Sequence, residues 1–162
     1  MARMSVSGLS PGHCKTATNL ALQAAVLGYH QKAHIHYTQG SQRWDGIEHK
    51  RLAWKGEYPH WADCSAYVTW CIWCGTGRHF GTRDIVNGEH WRDGYTGTML
   101  QHGRHVSKPF PGTAIIYGPG TGEHTALYTG GGLVVSHGNE AGPQLIPWNY
   151  RSDIHSIRSY IY

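Results

Sequence analysis

The chain has 162 residues, a length typical of one domain that buries a core without disulfide support. Hydrophobic residues make up 40% and charged residues 15%, which excludes a disordered or fibrous protein. The net charge of +4 is scattered, without a run of Lys and Arg, so it suits an anionic partner but does not favour a dedicated nucleic-acid role. We predict a single domain over residues 1–162 that is a monomer and does not bind nucleic acid.

The N-terminal segment shows no export signal. Basic residues within positions 1–12 are not followed by an apolar stretch, so no signal peptide is predicted. No window of the sequence approaches the roughly 18 apolar residues of a membrane span. We expect a protein made in the cytoplasm of the producing cell, which would reach an extracellular target only after release.

One helix is predicted near the N-terminus, followed by a long loop region. Ser10 and Pro11 are typical of a helix start, small apolar residues then follow at helical spacing, and Gly28 predicts the helix end. Residues 37–61 are polar and contain three Trp residues. Loops of this length in compact domains are usually functional.

A second helix is predicted from about Asp63 to Cys74, with Asp63 as its cap and Gly75 as its end. It is apolar on nearly every side, so we expect it to be buried. Its last residues include a CxxC pair, Cys71 and Cys74. The position of this pair late in an apolar run favours structural packing, while a zinc or redox role stays open.

Strands are predicted in the second half of the chain, after a short helix near residues 95–102. The strands cover residues 113–117, 124–129, 133–137 and 154–162, and clusters of Gly and Pro separate them. Helices that precede strands in this way indicate an α+β domain, in which N-terminal helices pack on a C-terminal antiparallel sheet.

Cys64 is the candidate nucleophile. It directly follows the predicted cap, so it would lie in the first helical turn, where free amide groups and the helix dipole stabilise a thiolate. A nearby histidine would form an ion pair with that thiolate, and a third polar group would orient the histidine.

Two histidines are predicted to meet across a hairpin. The segment GEHTALYTGGGLVVSHG reads as two strands joined by a glycine turn. If Gly130 and Gly131 form a two-residue turn, His124 and His137 lie directly opposite each other on one sheet face. A slip of one residue would place them on opposite faces. From these residues alone, a buried structural cysteine beside two structural histidines is the favoured interpretation.

Three motifs in order resemble the NlpC-type cell-wall peptidases, small papain-like cysteine enzymes that hydrolyse the stem peptides of peptidoglycan. The segment DCSAYVTW resembles their DCSG motif, PGTAIIYG their strand before the histidine, and HTALYTGGGLVVSHG their histidine strand and the next one. The resemblance covers about residues 16–140. Ala66 replaces the motif glycine, and Thr113 replaces an aspartate usual after Pro-Gly.

The resemblance implies a papain-like NlpC-type fold and a Cys-His-His site. Cys64 would be the nucleophile, His124 the general base and His137 the orienting residue. Tyr37, Asp63 and Ser65 would line the substrate and oxyanion site, although 26 residues separate Tyr37 from Cys64, more than is usual. The resemblance implies no metal and no organic cofactor, and its partner is bacterial peptidoglycan.

The family most often cuts between D-glutamate and diaminopimelate, and the many Trp and His residues are most similar to peptidase domains of bacteriophage endolysins, which are bacteriolytic. Three alternatives remain. An N-acetylmuramoyl-L-alanine amidase of the CHAP type would share the cysteine and histidine. A non-catalytic wall-binding module would use the 7 Trp and 10 Tyr to stack on sugars. A metalloenzyme would use His34 and His36 as ligands.

Overall fold

Helices pack on one face of an antiparallel sheet in the computed structural model, which describes residues 5–88 and 90–162. The α-helices are α1 (Pro11–His30), α2 (Asp45–Glu48), α3 (Cys64–Trp73) and α4 (Thr96–Leu100). The strands are β1 (His36–Tyr37), β2 (Trp61–Ala62), β3 (Arg104–His105), β4 (Ala114–Tyr117), β5 (His124–Gly130), β6 (Leu133–Ser136), β7 (Gln144–Pro147) and β8 (Ile154–Ser159).

Strands β3 to β8 form one six-stranded sheet in the order β3-β8-β4-β5-β6-β7, and every neighbouring pair is antiparallel. The predicted α+β class is therefore confirmed. The sequence predicted β4, β5, β6 and β8 but missed β3 and β7. No signal peptide was predicted within positions 1–12, and residues 1–4 of that segment lie outside the described residues. Within the described ranges, no helix is both long and apolar enough to cross a membrane.

Side chains of the sheet alternate between two apolar layers, as successive residues of a strand must. One layer packs under α1 and α3 and includes Ala114, Ile116, Leu127 and Val135. The opposite layer is a second cluster, formed by Val106, Ile115, Tyr117, Ala126, Val134 and Ile157. Because both layers are buried, strand β4 is apolar throughout and has no solvent-facing side.

Helix α1 begins where predicted but ends two residues beyond Gly28. The Ser10 hydroxyl accepts a hydrogen bond from the backbone of His13, and Pro11 is the first helical residue. Gly28 is not a stop signal, because a Cβ at this position would lie 2.0 Å from the Tyr67 hydroxyl. The glycine instead lets Tyr67 of α3 approach α1 and donate a hydrogen bond to the carbonyl of Ala25.

Helix α3 begins at the predicted cap and is buried as expected. The Asp63 carboxylate accepts from the amide of Ala66 at 2.8 Å. The predicted end at Gly75 is wrong, because the chain continues in a π-helical turn over Cys74–Arg78. A Cβ on Gly75 would lie 2.1 Å from the backbone oxygen of Ala17, so this glycine allows close packing against α1.

The β5–β6 hairpin has a different register from the predicted one. Leu127 pairs with Val135 and Tyr128 with Val134, and a bulge follows before Gly130 pairs with Leu133. The two-residue turn is therefore Gly131–Gly132, both in the left-handed region. The turn and the bulge together shift the register by one residue. Continued along β5, the register places Gly138 opposite His124 and His137 opposite Thr125.

The long segment between α1 and α3 contains two short strands, one near each of its ends, which pair as a parallel ribbon. Strand β1 pairs with β2, with His36 beside Trp61 and Tyr37 beside Ala62. The segment between them is not a plain loop, because it contains α2 and two 3₁₀ turns. The ribbon brings Tyr37 next to the start of α3 despite the sequence separation.

The close contact at Gly75 predicts that Gly75→Ala is destabilising. The new methyl group would meet a backbone oxygen that cannot move aside, so we expect a loss of about 1–3 kcal/mol in the free energy of unfolding. Gly12→Ala in α1 is the matched control, since a Cβ there meets nothing within 4 Å and alanine favours helix. Equal thermal midpoints for the two variants would contradict this account of the α1–α3 packing.

Candidate active site

Cys64 occupies the first turn of α3 and is the most accessible of the four cysteines. Its side chain is 8% exposed, whereas Cys14, Cys71 and Cys74 are fully buried. All four are free thiols. Cys64 is therefore the cysteine that a reagent or substrate can reach most readily.

The Cys64 thiol is held neutral in the free protein. Burial, followed by the neighbouring Asp63 carboxylate, raises its pKa to about 12. The backbone N–H groups of Thr125, Ser65 and Cys64 itself act in the opposite direction but do not outweigh burial. The contact with Thr125 also places the sulfur against the first peptide group of β5, directly after His124.

His124 lies at the start of β5 and is neutral at physiological pH. Burial lowers its pKa to about 4, with smaller contributions from Arg151 and His137. Its ring stacks on Tyr117, with ring centroids 5.9 Å apart. The raised thiol pKa and the lowered imidazole pKa both favour the uncharged forms of the two side chains, whereas the sequence analysis expected an ion pair, which stays a prediction. The proton stays on sulfur, because both charged forms would be poorly solvated.

Ser136, and not His137, is the side chain that contacts the His124 ring. The Ser136 hydroxyl lies 2.7 Å from His124 Nε2. The one-residue shift of the hairpin places Ser136 on the sheet face of His124 and turns His137 to the other face. The predicted pairing of His124 with His137 is therefore wrong, and the bulge before Gly130 is the reason.

His137 instead ties the ribbon to the sheet. Its Nε2–H is shared between the backbone carbonyls of Ala62, at 3.0 Å, and His36, at 3.2 Å. The ring is 1% exposed and contacts the rings of Tyr37 and Tyr67. Burial lowers the pKa of His137, although the carbonyls around it partly counteract this effect. The residue bridges both ribbon strands just before Cys64.

Tyr37 lies within electrostatic range of Cys64. Burial raises its pKa, a hydrogen bond from Gln39 to the phenol oxygen partly offsets this, and Cys64 and Asp63 raise it further. Tyr37 also lines a cavity of about 430 Å³ together with His124 and Ser136. Its hydroxyl is thus available at the same opening as the imidazole.

Asp63 and Ser65 interact with each other within the helix cap. The Ser65 hydroxyl donates to Asp63 Oδ1 at 3.0 Å, and Ser65 is 2% exposed. The other carboxylate oxygen of Asp63 lies 3.6 Å from Arg43 Nε. Both side chains stabilise the start of α3. Their contact with a substrate stays a prediction.

Opposite charges line the far wall of the cavity, beside His124. Arg151 Nη2 donates to Glu123 at 2.9 Å, and its Nε donates to Asp153 at 2.9 Å. Glu123 and Arg151 both line the cavity. The wall therefore presents a carboxylate and a guanidinium next to each other at the mouth of the candidate site.

The metal-ligand pair considered from the sequence lies away from this cavity. His34 and His36 are exposed at a separate surface groove. Among residues 5–88 and 90–162, no group of three or more His, Cys, Asp or Glu side chains is arranged to hold a metal ion.

Sequence reasoning missed Ser136, Glu123 and Arg151. The bulge explains why Ser136 was missed. Counting residues from a two-residue turn at Gly130 and Gly131 places His137, the neighbour of Ser136, opposite His124. Arg151 reaches the site from the segment between β7 and β8, far from any recognised motif, so no local pattern could indicate it. Glu123 was adjacent to the predicted base, but its role depends on Arg151.

By sequence, no protein-family model and no curated protein matches the chain. Solved structures do match, and they define the class of fold. The peptidoglycan hydrolase RipB of Mycobacterium tuberculosis aligns with a TM-score of 0.65 at 19% identity, over 100% of this chain and 73% of that one. NlpC1 of Trichomonas vaginalis aligns with a TM-score of 0.56 at 17% identity, over 91% of this chain.

An NlpC/P60 family protein of Bacillus cereus aligns with a TM-score of 0.50 at 22% identity, over 77% of this chain and 41% of that one. The chain spans only 44% of NlpC1. At these identities the likeness establishes the fold: the chain has the papain-like α+β architecture of NlpC/P60 cysteine peptidase domains, as its motifs predicted.

The lowered histidine pKa values predict a loss of stability in acid. His124 and His137 bind protons less readily in the folded state than in the unfolded chain, whose histidines titrate near 6.5. Stability is therefore fully present above pH 6.5 and falls as the pH approaches 4, by on the order of 3 kcal/mol for His124.

Urea unfolding at pH 7.5 and at pH 4.5 measures this effect, with His124→Gln as the control that cannot titrate. The variant should lose less stability than the parent between the two pH values. Equal losses in both proteins would show that His124 is not held neutral by burial.

Proposed function

We propose that the protein is a thiol-dependent peptidoglycan hydrolase that cuts peptide bonds of the stem peptide. The observation that carries this proposal is that the sulfur of the helix-capped Cys64 lies against the first peptide group of β5, directly after His124, which lines the cavity and has a hydroxyl partner. A structural cysteine would need neither accessibility nor a neutral base beside it. The fold shared with RipB, which is named a peptidoglycan hydrolase, supports the substrate class.

His124 acts through Nδ1. Its Nε2 lies 2.7 Å from the Ser136 hydroxyl. In the proposed tautomer Nε2–H donates to that hydroxyl, which leaves Nδ1 unprotonated as the base. The Cys64 sulfur attacks the carbonyl carbon of the stem peptide as its proton passes to Nδ1. Starting from a neutral pair avoids a buried ion pair before the substrate arrives. Ser136 is a positioning residue, since it acts on the base and not on the substrate.

The tetrahedral oxyanion is held by the backbone N–H of Cys64 and by the Tyr37 hydroxyl. When the intermediate collapses, the C–N bond breaks and the proton on Nδ1 passes to the leaving amine. A thioester on Cys64 remains. Water then attacks that thioester, His124 accepts its proton, and the sulfur regains a proton as the carboxylic acid leaves. These steps need no metal or organic cofactor.

The bond between D-glutamate and diaminopimelate is the proposed site of cleavage. The far end of diaminopimelate carries an ammonium and a carboxylate on one carbon, whereas the lysine side chain carries an ammonium alone. Glu123 and Arg151 are adjacent on the cavity wall and are complementary to that pair of charges. This complementarity favours the peptidase over the CHAP-type amidase, whose bond lies nearer the sugar.

The proposed setting is a bacteriophage endolysin, made in the cytoplasm of the producing cell and acting on the wall after release, with antibacterial effect. The abundance of Trp and His in the sequence supports this setting. Lysis of intact cells by protein added from outside, compared with hydrolysis of purified wall, tests the setting separately from the chemistry.

Mass spectrometry of digested peptidoglycan tests the activity and the bond together. We expect fragments that end in D-glutamate and fragments that begin with diaminopimelate, and no such products from lysine-type peptides at the same rate. Cys64→Ala should remove all hydrolysis while the fold is kept, and the buried Cys14→Ala is the matched control. Hydrolysis by Cys64→Ala at the parent rate would exclude the nucleophile, and fragments lacking the L-alanine linkage to muramic acid would indicate the amidase.

Ser136→Ala tests the positioning of the base. Loss of the acceptor should lower kcat roughly tenfold to a hundredfold with little change in KM, less than loss of the base itself. The acid limb of the pH profile should move to lower pH, because the protonated ring loses a partner. Ser136→Thr keeps a hydroxyl and should restore most of the rate. If Ser136→Ala and Ser136→Thr are equally impaired with unchanged pH profiles, Ser136 contributes only packing.

A further inference from the structure

A shallow groove of about 400 Å³ lies on the other side of the ribbon from the cavity. Five aromatic side chains line it: His34, His36, Tyr58, His60 and Trp61. Three of these are exposed and two are half-buried, so their rings form an open surface. We call this surface the aromatic groove.

The rings of the aromatic groove contact one another in two sets. The first set is His36 against Trp61, with ring centroids 4.7 Å apart. The second set joins Tyr58 to His60 at 6.0 Å and to His34 at 6.4 Å. The two sets lie side by side at the surface, although an aromatic surface in contact with water carries a cost unless a partner covers it.

The aromatic groove and the catalytic cavity share a dividing wall. His36 comes one residue before Tyr37, which lines the cavity, and Trp61 comes one residue before the buried Ala62. Successive strand residues point to opposite faces. The Glu140 carboxylate lies 3.2 Å from His36 Nδ1 and accepts from the amide of Tyr37. Its neighbours Asn139 and Gly142 line the cavity. One ribbon and one loop therefore separate the two surfaces.

The distance between the two surfaces suits a stem peptide that crosses this wall. Trp61 is three residues from Cys64, so their Cα atoms lie within about 11 Å. In peptidoglycan, a lactyl group and two amino acids lie between the sugar ring and the bond after D-glutamate. Three such units span roughly 10 Å when extended. A sugar on Trp61 would thus place that bond near the Cys64 sulfur.

From this placement we propose that the aromatic groove binds an N-acetylated sugar of the glycan strand from which the stem peptide extends. The apolar C–H face of a sugar ring stacks on flat aromatic side chains, and imidazole and indole N–H groups donate to hydroxyl and acetamide oxygens. The inference rests on the proposed function and adds a second recognition site to it. The enzyme would then bind both the sugar and the stem peptide of the same peptidoglycan repeat unit.

Binding is tested with an N-acetylglucosamine tetrasaccharide and the intact chain carrying Cys64→Ala, followed by tryptophan fluorescence and NMR. Trp61→Ala should weaken binding at least tenfold, and Trp61→Phe should keep part of it because a ring remains. Trp54→Ala is the matched control, since Trp54 is 36% exposed, lies against His79 and does not line the aromatic groove. His36→Ala is a second variant for the case that Trp61→Ala does not fold.

A kinetic arm uses the chain with Cys64 intact and two substrates, a stem peptide with its disaccharide and the same peptide without sugar. Trp61→Ala should raise KM about tenfold for the sugar-bearing substrate only and leave kcat unchanged. The inference is overturned if the tetrasaccharide does not bind the parent, if Trp54→Ala weakens it equally, or if KM rises equally for both substrates. Failure of the parent to cleave either substrate would refute the proposed function instead, while the binding arm still reports on the groove.

Discussion

The arrangement of the site depends on one shared hydrogen bond, from His137 Nε2–H to the carbonyls of Ala62 and His36. These carbonyls belong to the two strands of the ribbon, so a single buried ring fixes both strands against the sheet. The Ala62 carbonyl also accepts from the amide of Thr38, so the His137 hydrogen bond adds to the backbone hydrogen bonds of the ribbon. The ribbon in turn sets the position of Tyr37, the direction in which the chain enters α3, and the wall between the cavity and the aromatic groove. His137, which the sequence predicted to orient the catalytic base, thus positions the ribbon that borders the site.

Burial sets the protonation states of Cys64 and His124 from which the proposed reaction would start. The same low-polarity surroundings raise the pKa of Cys64 to about 12 and lower that of His124 to about 4, so both groups are uncharged between those values. The helix start and three backbone N–H groups reduce the cost of the thiolate without making it the resting form. In the proposed reaction, the proton would move from Cys64 to His124 when a substrate carbonyl group is in place to accept the sulfur.

Much of the fold could be predicted from the sequence because its strongest signals are local. The Asp63 cap, the apolar α3 and the alternation of β5 and β6 each depend on a few neighbouring residues. The predictions failed where a glycine serves a distant contact, as at Gly28 and Gly75, which look like helix ends but make room for Tyr67 and the backbone of Ala17. The predicted hairpin register was wrong for a related reason. Three consecutive glycines permit several turns, and only tertiary packing selects the turn that is accompanied by a bulge. Ser136 and Arg151 could not be found by pattern, because the bulge and the approach of the β7–β8 segment are tertiary features.

Cys64 and His124 are indicated by the motifs alone, and the fold places the Cys64 sulfur against the backbone of Thr125, next to His124, although sixty positions separate the two residues in the sequence. The most direct test of the central claim is selective alkylation followed by peptide mapping. Iodoacetamide at neutral pH should modify Cys64 before any other cysteine, and loss of peptidoglycan hydrolysis should follow the modified fraction in direct proportion. Full modification of Cys64 with hydrolysis intact, or inactivation that follows modification of Cys14, Cys71 or Cys74, would contradict the account.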